Sequence, residues 1–319
     1  MKILGTGSAL PKKVVTNDDL AQVMDTSDEW IKSRTGIEKR HIAVEETTTS
    51  MAVEAAKKAI EAAKISVLDI DLIICATVSS DYIFPTLACE VQAAVGAKRA
   101  TAFDIGAGCS GFLFALATAD AYFRTGRFHN ALIMGAETLS KMMDWGDRST
   151  CVLFGDGAGA AIVSAEKNQL LSMVQGSDGE SGMALKCDNR PVNNLYRQLG
   201  AQTYSYTEMN GSEVYKFAVR TVPAAISEAL EQAKVPADDV KLYLLHQANR
   251  RIIEAVAKRL GQPLDKFPMN LQECGNISAA SVPILLDKVC RDGMLQAGDK
   301  VVLAGFGAGL TWGACVLEW

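Results

Sequence analysis

The sequence has only three histidines, and its eight cysteines form no C-x-x-C pair, so the usual spacing of zinc ligands is absent. Its 37 acidic side chains outnumber the 32 basic ones, and the net charge of −5 argues against a nucleic-acid partner. No apolar run approaches the ~18 residues of a membrane span, and the first residues lack the pattern of a secretory signal. We therefore expect a cytoplasmic protein with reduced thiols, no metal, no separate cofactor and no membrane contact.

The length and composition indicate a folded protein of more than one unit. At roughly 150 residues per domain, 319 residues predict two domains or two fused halves. The 49% of apolar and 22% of charged residues are ordinary for a globular protein. Short β-branched runs, such as 71–76, 131–134 and 300–304, alternate with alanine-rich helical stretches. This alternation predicts an α/β fold.

One helix-to-strand unit occurs twice in the chain. Residues 55–74 and 225–244, at an offset of 170, share seven identities in twenty positions. This internal repeat predicts a duplicated fold, with one half over 1–165 and the other over 166–319. No Pro/Ser linker separates the halves, so we expect them to share an interface.

A second set of matches lies at an offset of 167. It aligns Gly126 with Gly293 and places Cys109 opposite Asn276. The match predicts that Cys109 and Asn276 begin corresponding helices. A pseudo-two-fold axis between the halves would then bring both residues to one cleft.

Cys109 is the candidate nucleophile. It follows a predicted strand and a tight glycine turn, and it precedes a largely apolar helix. At a helix N-terminus the free N–H groups and the dipole stabilise a thiolate, which predicts a lowered pKa and a sulfur suited to acyl transfer. The alternative is a small buried residue in a helix cap, which is common for cysteine.

His246 and Asn276 are the candidate polar partners of the thiol. Both are predicted where loops meet the carboxyl ends of strands, the usual position of α/β active sites. His41 and His129 lie in polar segments and are interpreted as surface residues. Near the C-terminus, a strand, a glycine-rich turn and another strand offer backbone N–H groups suited to an oxyanion hole.

Two other functions, dinucleotide binding and papain-like proteolysis, have weaker support from the motifs than acyl transfer at Cys109. Gly106 to Gly111 fits G-x-G-x-x-G after a strand, and Glu137 ends the next strand as a possible ribose ligand. A thiol where a pyrophosphate would approach, together with the second copy that carries Asn276, argues against dinucleotide binding. Cys, His and Asn are also the residues of papain-like proteases, but the C-G-S-C-W signature is absent.

Several motifs together resemble the β-ketoacyl-acyl-carrier-protein synthase III family: DIGAGCSGF, LLHQANRRI, ECGNISAASVP and GFGAGLTWG, with DEWIKSRTGI and RSTCVLFGDGAGAA. The resemblance spans essentially the whole chain. It implies a thiolase-type fold of duplicated halves in five α-β-α-β-α layers, usually as a homodimer. It also implies an acyltransferase that starts type II fatty-acid synthesis by condensing an acyl-CoA, with acetyl-CoA expected, and malonyl-acyl-carrier protein.

The resemblance also implies a role for individual residues. Cys109 would carry the acyl group, and His246 and Asn276 would stabilise the enolate formed by decarboxylation. The backbone N–H of Cys109 and one from the Gly307–Ala308 turn would hold the oxyanion. Three positions depart from the family pattern: Ala308 stands where glycine is usual, Ile277 where threonine is common, and Gly108 where other small residues are common.

The implied binding residues are more numerous. Coenzyme A would be bound by Trp30 and Arg148, which sandwich the adenine, and by Arg34 and Asn210. The carrier protein would be bound by Gln247, Ala248, Asn249, Arg250, Arg251, Lys258 and Arg259. Phe84 would reach the acyl pocket across the dimer interface, or would instead be a packed core ring.

Other functions remain open at the level of the sequence. A related thiolase-fold enzyme, such as a polyketide starter synthase or a hydroxymethylglutaryl-CoA synthase, could use the same Cys, His and Asn. A non-enzymatic acyl-binding module is the second alternative, which the intact Cys109, His246 and Asn276 disfavour. The sequence does not fix the acyl primer.

Overall fold

The structure, a computed structural model, describes residues 1–166, 169–200 and 205–319. The strands are β1 (Lys2–Ala9), β2 (Lys13–Thr16), β3 (Lys39–Ile42), β4 (Leu72–Ala76), β5 (Thr101–Ile105), β6 (Asn130–Thr138), β7 (Asp156–Ser164), β8 (Leu170–Ser177), β9 (Leu185–Lys186), β10 (Glu208–Met209), β11 (Val240–Leu245), β12 (Lys300–Gly307) and β13 (Thr311–Glu318). The helices are α1 (Asn17–Ala21), α2 (Asp28–Thr35), α3 (Thr48–Ala63), α4 (Leu87–Val95), α5 (Gly111–Arg124), α6 (Gly211–Ala233), α7 (Arg250–Leu260), α8 (Leu271–Cys274) and α9 (Ser281–Arg291). None of the helices so described is long and apolar enough to cross a membrane.

Two mixed sheets repeat one topology. The first has the order β1-β7-β6-β4-β5, in which β6, β4 and β5 are parallel and β7 is antiparallel to both of its neighbours. The second has the order β11-β12-β13-β8, in which β11 and β12 are parallel and β13 is antiparallel to both neighbours. Thus β8, β13, β12 and β11 correspond to β1, β7, β6 and β4, which confirms the predicted duplication.

Alternating side chains on the strands assign the faces of the sheets. On β4, Leu72 and Ile74 belong to one apolar core, while Ile73 and Cys75 belong to another, as the period of two in a strand requires. The core that contains Leu72 also contains α5 and α9 residues and the matching face of β11 and β12. Helices α5 and α9 therefore lie between the two sheets.

The remaining large helices cover the outer faces. Helices α3 and α4 pack on the outer face of the first sheet, and α6 and α7 pack on that of the second. The resulting order of layers is α3/α4, first sheet, α5/α9, second sheet, α6/α7. The five-layer thiolase-type fold expected from the sequence is confirmed.

The repeat found at an offset of 170 has a structural cause. Lys64 and Lys234 end α3 and α6 in the left-handed conformation, with φ of 54° and 56°, and each N–H bonds back to a carbonyl in the last turn. Equivalent 3₁₀ turns, Val67–Asp69 and Ala237–Asp239, then lead into β4 and β11. The shared residues therefore preserve the same helix stop and the same entry into a strand.

The alignment of Cys109 with Asn276 is wrong. A 3₁₀ turn precedes both central helices, Gly108–Ser110 before α5 and Ser278–Ala280 before α9. Matching these turns pairs Cys109 with Ala279 and restores the offset of 170. The offset of 167 applies only to the far ends of the helices, because α9 has 11 residues where α5 has 14.

Candidate active site

Cys109 lies in the tight turn that leads from β5 into α5. Gly108 takes a φ of +51°, a conformation that favours glycine, and the thiol residue itself is only 7% exposed. The Ser110 hydroxyl donates to Ala107 O at 2.8 Å and lies 2.7 Å from the Thr311 hydroxyl. The turn is therefore fixed both internally and to the second sheet.

The electrostatics of this thiol differ from the expectation of a lowered pKa. Burial, the largest cause, and the nearby Glu137 carboxylate raise the pKa of Cys109, whereas a hydrogen bond from Ser278 lowers it, and together they leave a pKa of about 12. The cost of placing a thiolate away from water outweighs any stabilisation of the thiolate by the N-terminus of α5, which begins two residues later. The resting sulfur is a thiol.

His246 directly follows β11 and is 2% exposed. Its backbone N–H donates to Ala304 O at 2.8 Å. Its imidazole ring packs edge to face against the Phe306 ring, with 5.4 Å between the ring centroids. Burial lowers the pKa of His246 to about 3, so the imidazole is neutral at physiological pH. Nδ1 is buried without a hydrogen-bond partner in the described part of the chain.

Cys109 and His246 flank one position of β12. A Cβ placed on Gly305 would lie 3.5 Å from Cys109 O and 3.7 Å from the His246 Cβ. The two predicted residues, far apart in sequence, thus meet at the end of the second sheet.

Asn276 is fixed by its backbone and by its side-chain oxygen. Its N–H donates to Leu153 O at 2.8 Å, and its own carbonyl accepts from Gly155 N–H at 2.9 Å. Oδ1 accepts the N–H of Ser278 at 2.8 Å. This bond leaves the NH₂ group as the donor end of the amide. The 3₁₀ turn Ser278–Ala280, which follows Asn276, contacts the turn that holds Cys109.

The C-terminal glycine turn approaches the nucleophile through its backbone. A Cβ on Gly307 would lie 2.4 Å from Cys109 N, and one on Gly108 would lie 2.8 Å from Ala308 N. The Thr311 hydroxyl clamps the two turns by donating to Ala107 O or Ala308 O. The amides proposed for the oxyanion hole are therefore neighbours, and the methyl group of Ala308 does not separate them.

Sequence reasoning missed two residues of this cluster. Ser278 lies close enough to Cys109 and to Glu137 to lower the pKa of both groups. Glu137 was considered only as a ribose ligand. The signal was its place near the carboxyl end of β6, which β4 separates from β5, the strand that leads to Cys109. Burial raises the pKa of Glu137, and hydrogen bonds from Ser79, Val78, Thr77 and Ser278 lower it, which together leave a pKa of about 7.

The predicted coenzyme A residues are partly brought together. The guanidinium carbons of Arg34 and Arg148 lie 4.7 and 5.1 Å from the centroid of the Trp30 ring. Arg148 also bonds to the Asp25 carboxylate at 3.0 Å. Asn210 caps α6, where its side chain accepts the Glu213 N–H at 3.2 Å.

One predicted carrier-protein contact is wrong. The Gln247 side chain is 1% exposed and bonds to Leu245 O and to the N–H groups of Asn270 and Leu271, so it cannot reach a partner. Its amide instead joins two internal segments of backbone, which explains a polar residue in this motif.

The neighbouring residues of the same segment differ in exposure. Ala248 packs against the outer core, and the Asn249 side chain bonds to Arg34 O and Arg251 N. Arg250 pairs with Glu254 at 2.7 Å. Arg251, Lys258 and Arg259 are exposed on α7, and Arg251 lies 6.0 Å from the Tyr215 ring.

Phe84 is not a core ring. It is 83% exposed, beside Tyr82 at 57% and Ile83 at 63%. The alternative of internal packing is therefore excluded, and an apolar loop is left on the surface.

The remaining titratable residues offer no metal site. No group of three His, Cys, Asp or Glu side chains among the described residues could hold a metal ion. His41 Nδ1 lies 2.6 Å from Pro11 O, and the exposed His129 lies 3.3 Å from Asp71.

Decarboxylating acyltransferases of the thiolase fold are the class with which this fold and this cluster of side chains agree. The model of the 3-oxoacyl-[acyl-carrier-protein] synthase III family matches residues 103–179, and that of its C-terminal part matches residues 230–319. The chain belongs to the β-ketoacyl-acyl-carrier-protein synthase III family.

Individual relatives agree with this assignment. The chain is 46% identical to the β-ketoacyl-[acyl-carrier-protein] synthase III of Clostridium acetobutylicum, covering 100% of this chain and 98% of the relative. It superposes on the crystal structure of 3-oxoacyl-[acyl-carrier-protein] synthase III from Aquifex aeolicus with a TM-score of 0.93 and 46% identity, covering 100% and 99% of the two chains. A priming β-ketosynthase of the R1128 polyketide pathway has a TM-score of 0.92 but 33% identity, covering 99% and 95%.

Proposed function

We propose that this enzyme starts type II fatty-acid synthesis by a two-step condensation at Cys109. An acyl group, with acetyl expected, passes from acyl-CoA to the thiol, and malonyl-acyl-carrier protein then gives a β-ketoacyl-acyl-carrier protein with loss of CO₂. The observation that supports this most is that Cys109 and a neutral His246 flank Gly305, while the turn that follows Asn276 contacts the turn that holds Cys109.

In the first half-reaction the Cys109 sulfur attacks the thioester carbonyl carbon and coenzyme A leaves. The carbonyl oxygen becomes an oxyanion in the tetrahedral intermediate. The N–H groups of Cys109 and of the Gly307–Ala308 turn are the proposed donors, since the two turns are in backbone contact.

In the second half-reaction the malonyl carboxylate leaves as CO₂, and its bonding electrons form an enolate on the thioester. A neutral imidazole and a carboxamide can each donate a hydrogen bond to the enolate oxygen without supplying a full proton. His246 is suited to this because burial keeps it neutral, and Asn276 because its oxygen is occupied by Ser278 N–H. The enolate carbon then attacks acyl-Cys109 and expels the thiolate.

The substrates are proposed to enter from the face that carries Trp30. Stacking of an adenine between Trp30 and Arg148 requires about 7 Å between their planes, two stacking distances of roughly 3.5 Å. Because Arg148 lies 5.1 Å from the ring centroid, it must swing away when coenzyme A binds, with Arg34 and Asn210 as further polar contacts.

The acidic carrier protein is proposed to dock on the basic side chains of α7. Arg250, Arg251, Lys258 and Arg259 remain for this contact once Gln247 is excluded. Attraction acts within a screening length of ~8 to 10 Å, so a local basic face can act in a protein of net charge −5.

A homodimer is proposed from the exposed loop Tyr82, Ile83 and Phe84, because such an apolar run is suited to an interface. Phe84 of one subunit would then limit the acyl pocket of the other to short primers. Eight free cysteines agree with a reducing compartment such as the cytoplasm. No cofactor is proposed, since the coenzyme A thioester is itself a substrate.

The choice of second substrate tests this function against a related condensing enzyme. Acetylated enzyme should release CO₂ and form product rapidly with malonyl-acyl-carrier protein and slowly with malonyl-CoA. A preference for malonyl-CoA, or for acetoacetyl-CoA without CO₂ release, would instead indicate a polyketide-type or hydroxymethylglutaryl-type reaction.

A further inference from the structure

A fully buried arginine has no role in the two half-reactions above. Arg40, on β3, is 0% exposed, and its guanidinium donates to three neutral oxygens: Asn17 Oδ1 at 2.8 Å, Val152 O at 2.7 Å and Val15 O at 3.3 Å. Burial lowers the pKa of Arg40 and Cys151 raises it, which together leave a pKa of about 10, so the group is charged at neutral pH. Among the described residues no carboxylate forms an ion pair with it, and Nε has no hydrogen-bond partner there. Because burial of a charge without a counter-charge is costly, the retention of this arginine requires an explanation.

One of the three oxygens belongs to the chain segment that holds Asn276. This segment, residues 152–155, is called the clamp segment below, and it forms a parallel bridge with Asn276. Asn276 N–H donates to Leu153 O at 2.8 Å, and Gly155 N–H donates to Asn276 O at 2.9 Å. Nη2 of Arg40 donates to Val152 O, at the first residue of the clamp segment. The arginine therefore holds the segment where its pairing with Asn276 begins.

The stem of Arg40 lies against both chains at the same place. A Cβ on Gly155 would lie 3.3 Å from the Arg40 Cβ, and a Cβ on Gly275 would lie 3.4 Å from it. The same two added atoms would lie 2.3 Å from Cys274 O and 2.9 Å from Leu153 O. The two chains are thus in direct backbone contact, and Arg40 packs against both of them.

The guanidinium is also anchored away from the clamp segment. Asn17, which is 1% exposed, accepts from Nη1 of Arg40 through Oδ1, and its NH₂ group donates to Ile37 O and to the Asp28 carboxylate, each at 2.8 Å. Both ends of the buried amide therefore have partners, which fixes its orientation. Nη1 and Nη2 donate to different elements at once, through a planar fork that a lysine ammonium lacks.

The bond from Ser278 N–H to Asn276 Oδ1 cannot replace this anchorage. That bond lies within a single turn, so it fixes the carboxamide relative to its own backbone. The position of the turn relative to the rest of the protein depends on the pairing with the clamp segment.

We propose that Arg40 is a positioning residue for decarboxylation and acts on Asn276 through the clamp segment. It keeps the backbone of Asn276 in the place from which the carboxamide can donate to the enolate oxygen. The inference rests on the proposed function in giving Asn276 that role. A displacement of about 1 Å can lower a rate about 10²-fold. Loss of Arg40 should therefore slow decarboxylation and spare the acylation of Cys109, in which Asn276 has no part.

A double-mutant cycle tests whether Arg40 acts through Asn276. Arg40→Met keeps an unbranched apolar stem and removes the three hydrogen bonds. On the acetylated enzyme it should lower the rate constant of CO₂ release from malonyl-acyl-carrier protein about 10²-fold, with acylation by acetyl-CoA little changed. In the Asn276→Ala background the same substitution should cause almost no further loss, because the group that Arg40 positions is gone. In the His246→Ala background the loss should persist.

Amide hydrogen exchange reports on the same pairing without any substrate. Peptides that contain the Gly155 or Asn276 N–H should exchange faster in Arg40→Met than in the wild type, because the two bonds of the pairing open more often. Ser172→Ala is the matched control, since it removes a buried hydrogen bond to another backbone carbonyl, Ala229 O at 2.7 Å. It should change neither the exchange of these peptides nor the release of CO₂.

Several results would overturn the proposal. Equal losses in acylation and decarboxylation, or the same loss of CO₂ release with and without Asn276, would give Arg40 a general role in stability. Unchanged exchange in a folded Arg40→Met would likewise reject it. If Arg40→Met does not fold, Arg40→Lys keeps the stem and the charge without the fork, and it should show a smaller loss that also disappears in Asn276→Ala. Normal CO₂ release in Asn276→Ala together with faster exchange in Arg40→Met would contradict the proposed function and keep the positioning of Asn276 by Arg40.

Discussion

The neutrality of His246 predicts a specific loss of stability in acid. Its pKa is lowered from 6.5 to about 3 in the folded protein because the ring is buried. The unfolded chain therefore binds a proton below pH 6.5 that the folded chain refuses until about pH 3, so stability falls as the pH decreases. Between pH 7 and pH 5 this linkage amounts to about 2 kcal/mol, from 1.36 kcal/mol per tenfold change in the protonation ratio.

The variant His246→Gln isolates this contribution because glutamine keeps the size and polarity of the side chain without titrating. For 319 residues, an unfolding entropy of ~2.1 cal/mol/K per residue converts 2 kcal/mol into about 3 °C of melting temperature. The wild-type melting temperature, followed by circular dichroism, should thus drop about 3 °C more than that of the variant between pH 7 and pH 5.

The wild type must be compared with His246→Gln because the titration of Glu137 changes the stability of the fold with pH in the opposite direction. Its pKa is raised from 4.5 to about 7, so its contribution is present at low pH and is lost as the pH rises through 7. This contribution is common to both proteins and cancels in the difference. The exposed His129→Gln should follow the wild type. An equal drop in wild type and His246→Gln would refute the buried neutral imidazole.

Four further substitutions separate the parts of the site. His246→Ala and Asn276→Ala should each retain acylation of Cys109 but lose decarboxylation by about 10² to 10³-fold, the usual range for one oxyanion donor; normal CO₂ release in both would reject this division of roles. Arg251→Glu should weaken reaction with malonyl-acyl-carrier protein at low salt and spare acylation by acyl-CoA, whereas Lys57→Glu on the opposite outer layer should change neither; equal losses in both half-reactions would indicate another role for Arg251. Phe84→Thr should accept longer acyl-CoAs, and an unchanged chain-length profile in a folded dimer would remove Phe84 from the pocket.

The duplicated fold could be predicted because the repeat preserves features with strict local requirements. Lys64 and Lys234 hold the same left-handed helix stop, and both lead into a buried strand through a 3₁₀ turn. Such signals are local in sequence and can be recognised without any knowledge of the tertiary contacts.

The errors concerned properties that depend on tertiary surroundings. Asn276 matched Cys109 in sequence because α9 is shorter than α5, which shifts the alignment between the two ends of the helices. The pKa of Cys109 was expected to be low because a helix begins nearby, but burial has the larger effect. Gln247 lies in a polar motif, yet its amide is used by internal backbone groups.

Ser278 and Glu137 show a further limit. The hydroxyl lies two residues beyond Asn276, and the carboxyl ends a different strand in the other half of the chain. Only the folded arrangement of the two turns and of β6 brings both residues near one thiol. The catalytic roles of Cys109, His246 and Asn276 remain predictions until the half-reactions are measured.

Cys109 is proposed to carry the acyl group between the two substrates. The most direct measurement is the intact mass of the protein after acetyl-CoA, followed by peptide mapping and then addition of malonyl-acyl-carrier protein. The wild type should gain one acetyl mass, mapped to Cys109, and should lose it with formation of acetoacetyl-acyl-carrier protein, while Cys109→Ala gains none. An acetyl group mapped to any other cysteine, or one that malonyl-acyl-carrier protein does not remove, would contradict the account.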